Sequence, residues 1–212
     1  MPRVTTTPKS KAYHHGDLRH SLIEAGLAIV EQEGIEALSL RGVARRAQVS
    51  HSAPYHHFAD RAGLLAAVAA EGFLRMVAEI QRQATTRPIT CALDGLRCVG
   101  YGYVEFAAQN PGVFRLMFRP ELTRPAQHPP LQQAEALAFG KLLESIIGCQ
   151  AAGELPTGDP FPLALFAWSG VHGLAVLHVE QVLGETPLGE RPFGELAHIV
   201  NETIIAGLKT QR

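Results

Sequence analysis

Residues Ser39–Phe58 read SLRGVARRAQVSHSAPYHHF, and their order fits two short helices with a tight turn between them. Ser39 is placed to cap the first helix, its hydroxyl accepting from an orphan backbone N–H. Leu40, Val43, Ala44 and Ala47 then recur at helical spacing. Ala47-Gln48-Val49 is expected to form the turn, with Val49 as its apolar plug. Ser50 is expected to cap the second helix, which runs from about His51 into Tyr55, His56 and His57. Pro54 falls early in it, where a missing N–H costs little. A helix this short has little core to bury. It presents Ser50, His51, Ser52, Ala53, Tyr55 and His56, all small or hydrogen-bonding, which suits insertion into a DNA major groove.

The residues around this stretch support a compact module. Leu18, Leu22, Ala25 and Ile29 make one apolar stripe on a helix expected from Asp17, its cap, to Glu33, with Gly34 as its stop. Phe58 is expected to plug the small core, and Asp60 to cap a longer helix over about Arg61–Ala84. The 212-residue chain can bury a real core and carries a net charge of −1, so it is not a basic nucleic-acid binder as a whole. The charge is uneven. Residues 1–61 hold Arg3, Lys9, Lys11, Arg19, Arg41, Arg45, Arg46 and Arg61, against Asp17, Glu24, Glu31, Glu33, Glu36 and Asp60, and six of the ten histidines. A small local excess on a neutral body fits a compact DNA module. Residues 1–15 read as a polar, flexible arm whose basic residues could brush phosphates. His14, His15 and His20 lack a carboxylate or cysteine to complete a metal set, so no metal or cofactor is expected.

The residues Leu38-Ser39-Leu40-Arg41, Val43-Ala44, Ala47, Val49-Ser50, Tyr55, His57-Phe58, Asp60-Arg61 and Leu64-Leu65 resemble the helix-turn-helix of the TetR-like (tetracycline-repressor) family of bacterial transcriptional regulators. The likeness covers Gly16–Leu65 closely and the remainder in architecture. Later, Trp168-Ser169-Gly170-Val171-His172-Gly173 resembles the Trp-His-Gly signature of one TetR-like C-terminal domain type. The family usually has Gly where this chain has Gln48, and a left-handed backbone there costs a non-Gly residue roughly 1–2 kcal/mol. Gly42, within the first helix, is a second soft spot at about 1 kcal/mol relative to Ala.

The resemblance implies an all-α protein: a three-helix DNA-binding domain over residues 16–60, then a larger helical domain over 61–212 for effector binding and dimerisation. It implies that His51, Ser52 and Ala53 face base edges, with Ser50 beside them. Arg41, Tyr55, His57 and Arg61 would hold phosphates, and His56 either. It further implies double-stranded DNA with a palindromic operator as partner, a homodimer, and release by a small-molecule effector. An activator with the same fold remains an alternative.

The larger part also reads as helical throughout. Helices are expected over about 89–109, 113–118, 131–151, 161–183 and 193–208. Asn110-Pro111-Gly112 marks a stop, and the four prolines of Arg119–Pro130 mark an irregular connection. Phe161–Leu183 is apolar nearly all round. It fits either the central core helix of a monomer or a helix shared with a second subunit. On the second reading Phe161, Leu165, Val171, Ala175 and Val179, with Leu196 and Val200 on the last helix, meet the partner. Phe106, Phe114, Phe118, Phe139, Trp168 and His172 could line a cavity, with Tyr103 or Arg97 as polar anchors, although each could equally be core.

Cys91, Cys98 and Cys149 show no paired spacing, and a reducing cytoplasm fits. No apolar run reaches the roughly 18 residues of a membrane span, and no signal-peptide core is seen at the N-terminus. An all-helical enzyme or metal-binding protein using His51, His56 and His57 is the contrasting class. Spacings of i, i+5 and i+6 do not converge on one point of a helix, and no Ser/His/Asp or paired-carboxylate set stands out.

Overall fold

Helix starts in this chain are set by caps and prolines. In the computed structural model, which describes residues 15–210, the Ser39 hydroxyl accepts from the Gly42 N–H at 3.1 Å and the Asp60 carboxylate from the Gly63 N–H at 2.8 Å. Pro111, Pro120, Pro129 and Pro160 each open a helix, where the absent N–H has no partner to lose. The helices are α1 (His15–Glu33), α2 (Leu40–Arg46), α3 (Arg61–Thr86), α4 (Ala92–Gln109), α5 (Pro111–Met117), α6 (Pro120–Thr123), α7 (Pro129–Ala151), α8 (Pro160–Val179) and α9 (Phe193–Thr210). Short 3₁₀ turns lie at Ile35–Ala37, Ala53–His56, Pro125–Gln127 and Val182–Glu185. Every regular element among the described residues is helical, as expected.

Several local expectations need correction. α1 is already formed at His15, so Asp17 lies inside it rather than capping it. The proline-rich Arg119–Pro130 stretch is not irregular: its prolines start α6, a 3₁₀ turn and α7. The second helix of the motif is a turn at His51–Ser52 followed by 3₁₀ Ala53–His56. Pro54 has no N–H to give, and the bonds within the turn are mostly of i→i−3 type, from Ala53 N to Ser50 O, Tyr55 N to Ser52 O and His57 N to Pro54 O, closed by Phe58 N to Pro54 O. The Ser50 hydroxyl therefore meets the Ser52 hydroxyl at 3.1 Å instead of capping a helix. The arm expected over residues 1–15 falls almost wholly outside the described residues.

Gln48 does adopt φ 56°, the left-handed turn that its position demands. At Gly42 a Cβ would stand 3.0 Å from the capping Ser39 Oγ, so a side chain there would crowd the cap.

One continuous apolar core runs from Leu22 to Leu208. α3 is its spine. Leu64, Leu65 and Val68 are buried toward α1 and α2, while Phe73, Met76, Val77 and Ile80 are buried in the larger bundle. α4 crosses α3 so closely that a Cβ on Gly102 would lie 2.5 Å from the Ile80 Cα. α5 is wedged between the two halves. Its Gly112 and Val113 N–H groups donate to the Glu31 carboxylate of α1, at 3.2 and 2.7 Å, which satisfies a helix N-terminus with an acid. At its other end Arg115 donates to Glu180 at 2.8 Å and to the Val179 carbonyl, both at the end of α8.

α8 packs on α4, α7 and α9. Contrary to the expectation that no segment could span a membrane, this helix is long and uncharged enough to do so by length and composition, with a third of it buried in the fold. Its Pro, Ser, Gly and His residues interrupt the apolar run but carry no fixed charge.

Candidate DNA-binding face and effector cavity

The DNA-reading candidate is built on two buried anchors. Pro54 and Phe58 turn inward, Phe58 being only 4% exposed. Ser50, His51, Ser52, Tyr55 and His56 consequently stand outward on one convex turn, all exposed. Ala53 and His57 are half-buried at its edge, and the His57 ring lies 6.4 Å from that of Phe58. Arg41 is exposed on α2. Arg61 departs from the phosphate-binding role expected of it. Its guanidinium donates to the carbonyls of Leu38 and Ile35 at 2.8 and 2.9 Å and reaches Glu36 at 3.4 Å. It ties α3 to the loop before α2. The sequence reading passed over Arg45, which is exposed one turn beyond Arg41 on the same face of α2. That spacing is the signal by which it could have been found.

A cavity of about 460 Å³ lies between α3, α4, α7, α8 and α9, within the range of roughly 300–1,000 Å³ typical of small-molecule sites. Tyr103, Phe118, Phe139 and Trp168 line it, as expected. Phe106 and Phe114 are packed core residues, each 2% exposed. Arg97 is not an anchor of this cavity. It is engaged with Glu202 at 2.7 and 3.0 Å and with Asp94 at 3.1 Å, which together raise its already high pKa. Two polar lining residues, Glu135 and Asn201, were missed. Glu135 could have been found, because it interrupts the α7 stripe of Leu131, Ala138, Phe139 and Leu142 at helical spacing.

His172 stands behind the wall. The Trp168 Nε1–H donates to the Tyr103 hydroxyl at 3.3 Å, and that hydroxyl is 2.7 Å from His172 Nδ1. A neutral imidazole with Nδ1 unprotonated accepts the phenol proton in this arrangement, while a protonated Nδ1 would donate to the phenol oxygen instead. Burial pushes the His172 pKa down, favouring the neutral form, and raises that of Tyr103. A depressed histidine pKa contributes stability that is present above the unfolded value near 6.5 and lost as pH falls through the folded one. His172→Gln is therefore expected to lose less stability than the wild type between about pH 7 and pH 5. Urea unfolding at both pH values checks this; parallel losses would refute it.

The outer side of α8 forms a second surface. Phe161 and Leu165 are exposed and Val200 half-buried, but Val171, Ala175, Val179 and Leu196, also expected at a subunit interface, point inward and are buried. The exposed stripe is instead Leu165, Phe166, Ser169, Val176 and Leu177, with half-buried Gly173 between them. On α9, Ile199 continues it, and Phe166 leans over Gly207, where a Cβ would meet its ring at 3.2 Å.

This fold and this face define a helix-turn-helix DNA-binding regulator. Residues 22–68 match the bacterial regulatory proteins of the tetR family, and residues 96–200 match the tetracyclin repressor-like C-terminal domain. The chain belongs to the TetR family of bacterial transcriptional regulators. A solved structure of a protein with unknown function from Rhodococcus sp. RHA1 is 31% identical with a TM-score of 0.80, over 95% of this chain and 100% of that one. The TetR family transcriptional regulator PfmR from Thermus thermophilus is 16% identical (TM-score 0.62, 90% of this chain and 99% of that one). FadR from Bacillus subtilis, solved in complex with stearoyl-CoA, is also 16% identical (TM-score 0.70, 89% and 98%). The last two share the fold alone.

Proposed function

We propose that this protein is a homodimeric repressor that holds a palindromic operator and is released when a small molecule enters the α3–α4–α7–α8–α9 cavity. The observation that carries the DNA assignment is the outward face of Ser50, His51, Ser52, Tyr55 and His56, anchored by buried Pro54 and Phe58. On this reading His51, Ser52 and Ala53 meet base edges. Arg41, Arg45, Tyr55 and His57 hold phosphates, with His56 at either. No enzymatic step and no metal is assigned to the histidines.

The dimer follows from the exposed α8–α9 stripe. Apolar surface of this extent marks an interaction site, and a second copy covers it symmetrically. The opposite side of α8 is already committed to the core through Ala164, Ala175 and Leu174, so the helix serves as an interface helix within a cytoplasmic protein. Pairing places two reading turns about one DNA turn apart. α3 gives the cavity its route to the DNA. Phe73, Met76 and Ile80 line the cavity, while Arg61 at the other end anchors the loop before α2. A ligand that fits better when α3 tilts shifts the spacing of the two heads.

Selection from random DNA tests the base-reading assignment. Tyr55→Phe is expected to weaken binding to all sequences alike, by roughly 1 kcal/mol for one lost hydrogen bond. His51→Ala is expected to change the preferred base at one position of each half-site, a discrimination of about 1–3 kcal/mol. Recovery of the wild-type site by His51→Ala would remove His51 from the base-reading set.

A further inference from the structure

We propose that the effector is an apolar organic cation, an amine or quaternary ammonium, whose positive group sits against the Glu135 carboxylate inside the cavity. The inference rests on the effector-release reading and specifies the chemistry of its ligand. The cavity wall brings Glu135 together with the rings of Phe73, Tyr103, Phe118, Phe139 and Trp168. Glu135 is half-buried, and among the described residues its carboxyl makes no hydrogen bond and no ion pair. Burial holds that carboxyl above its ordinary pKa, as expected of an acid with no cation beside it.

The wall holds no Lys, Arg or His. Its polar side chains are already engaged with protein: Trp168 Nε1 donates to the Tyr103 hydroxyl, that hydroxyl pairs with His172 Nδ1, and Asn201 Nδ2 donates one N–H to the Arg97 carbonyl at 3.0 Å. An anionic ligand would find no positive partner there and would face Glu135. A cation answers the carboxylate directly, and the faces of the surrounding rings attract it further. Loss of water strengthens the attraction between the two charges but costs their hydration, so the half-exposed position of Glu135 keeps that cost below that of a fully buried pair.

Trp168 is the one tryptophan of the chain and stands on the cavity wall, so its fluorescence reports occupancy. The full chain is titrated, without DNA, with decyltrimethylammonium, decanol and decanoate. The cation is expected to bind at least about tenfold tighter than decanol, and decanoate weakest of the three. Glu135→Gln is expected to abolish the advantage of the cation while decanol affinity stays within about twofold, which also shows that the variant is folded. Decanoate binding the wild type as tightly as the cation overturns the proposal. So does a cation preference that survives Glu135→Gln, or silence of Trp168 with all three. Operator release is read separately. Decyltrimethylammonium that binds through Glu135 yet leaves the operator complex intact would defeat the release reading while the ligand assignment stands.

Discussion

Leu177→Glu is expected to turn a dimer into a 22.9 kDa monomer that has lost at least about a hundredfold in operator affinity. Leu177 is 41% exposed on the outer side of α8, within the stripe that includes Leu165, Phe166, Val176 and Ile199. In a lone chain a glutamate here is solvated and costs the fold little. In a symmetric pair the same position faces the partner's apolar stripe, so the charge is desolvated twice without a counter-ion. The DNA loss follows from geometry. Two linked reading heads bind as one event, and a separated head keeps only the affinity of a half-site. Sedimentation at micromolar concentration and operator titration provide the readouts. A variant that still sediments at twice the monomer mass with wild-type operator binding would place the interface elsewhere. Charge at Val171 or Ala175 is expected to behave differently. These side chains are 8% and 0% exposed, so such variants should unfold rather than dissociate.

Phe114→Ala is expected to cost about 3–5 kcal/mol of stability. Phe114 is 2% exposed on α5 and touches three rings, with centroids 5.8 Å from Tyr103, 5.0 Å from Phe118 and 5.8 Å from His172. Removing it opens a void that the neighbours cannot close. Tyr103 is held by its hydrogen bonds to Trp168 and His172, and α5 is pinned at both ends by Glu31 and by Glu180. For a domain of this size each kcal/mol lowers the midpoint by roughly 2–4 °C. Thermal unfolding at matched protein concentration reads the effect, since the midpoint of a dimer would depend on concentration. A loss below about 1 kcal/mol would mean that the site collapses freely, contrary to this packing.

Much of the helix-turn-helix is legible from sequence because its determinants are local. The Ser39 and Asp60 caps act over three residues. Gln48 is forced to positive φ by the turn around it. Leu22, Ala25 and Ile29 repeat at the period that one helix face imposes, and all three are buried. The prolines were misleading because a proline marks a boundary without saying which side of it is helical.

The tertiary fold decided what local pattern leaves open. Apolar residues all round α8 say that the helix is covered, but only the placement of α4, α7 and α9 determines which side faces inward. Hence Val171, Ala175 and Val179 lie within the fold and Leu177 outside it. The charged side chains follow the same rule. Arg97 is tied to Glu202, 105 residues away, and Arg61 to carbonyls 23 and 26 residues before it. The spacing of Glu135 within the α7 stripe marks it as facing inward, but the aromatic wall around it is assembled only from separate helices. Caps and periodicity depend on neighbours three or four residues along the chain, so the sequence displays them. Ion pairs, cavities and the choice of an exposed face depend on which distant groups the packed core brings within a few ångströms, and that is settled only by the fold as a whole.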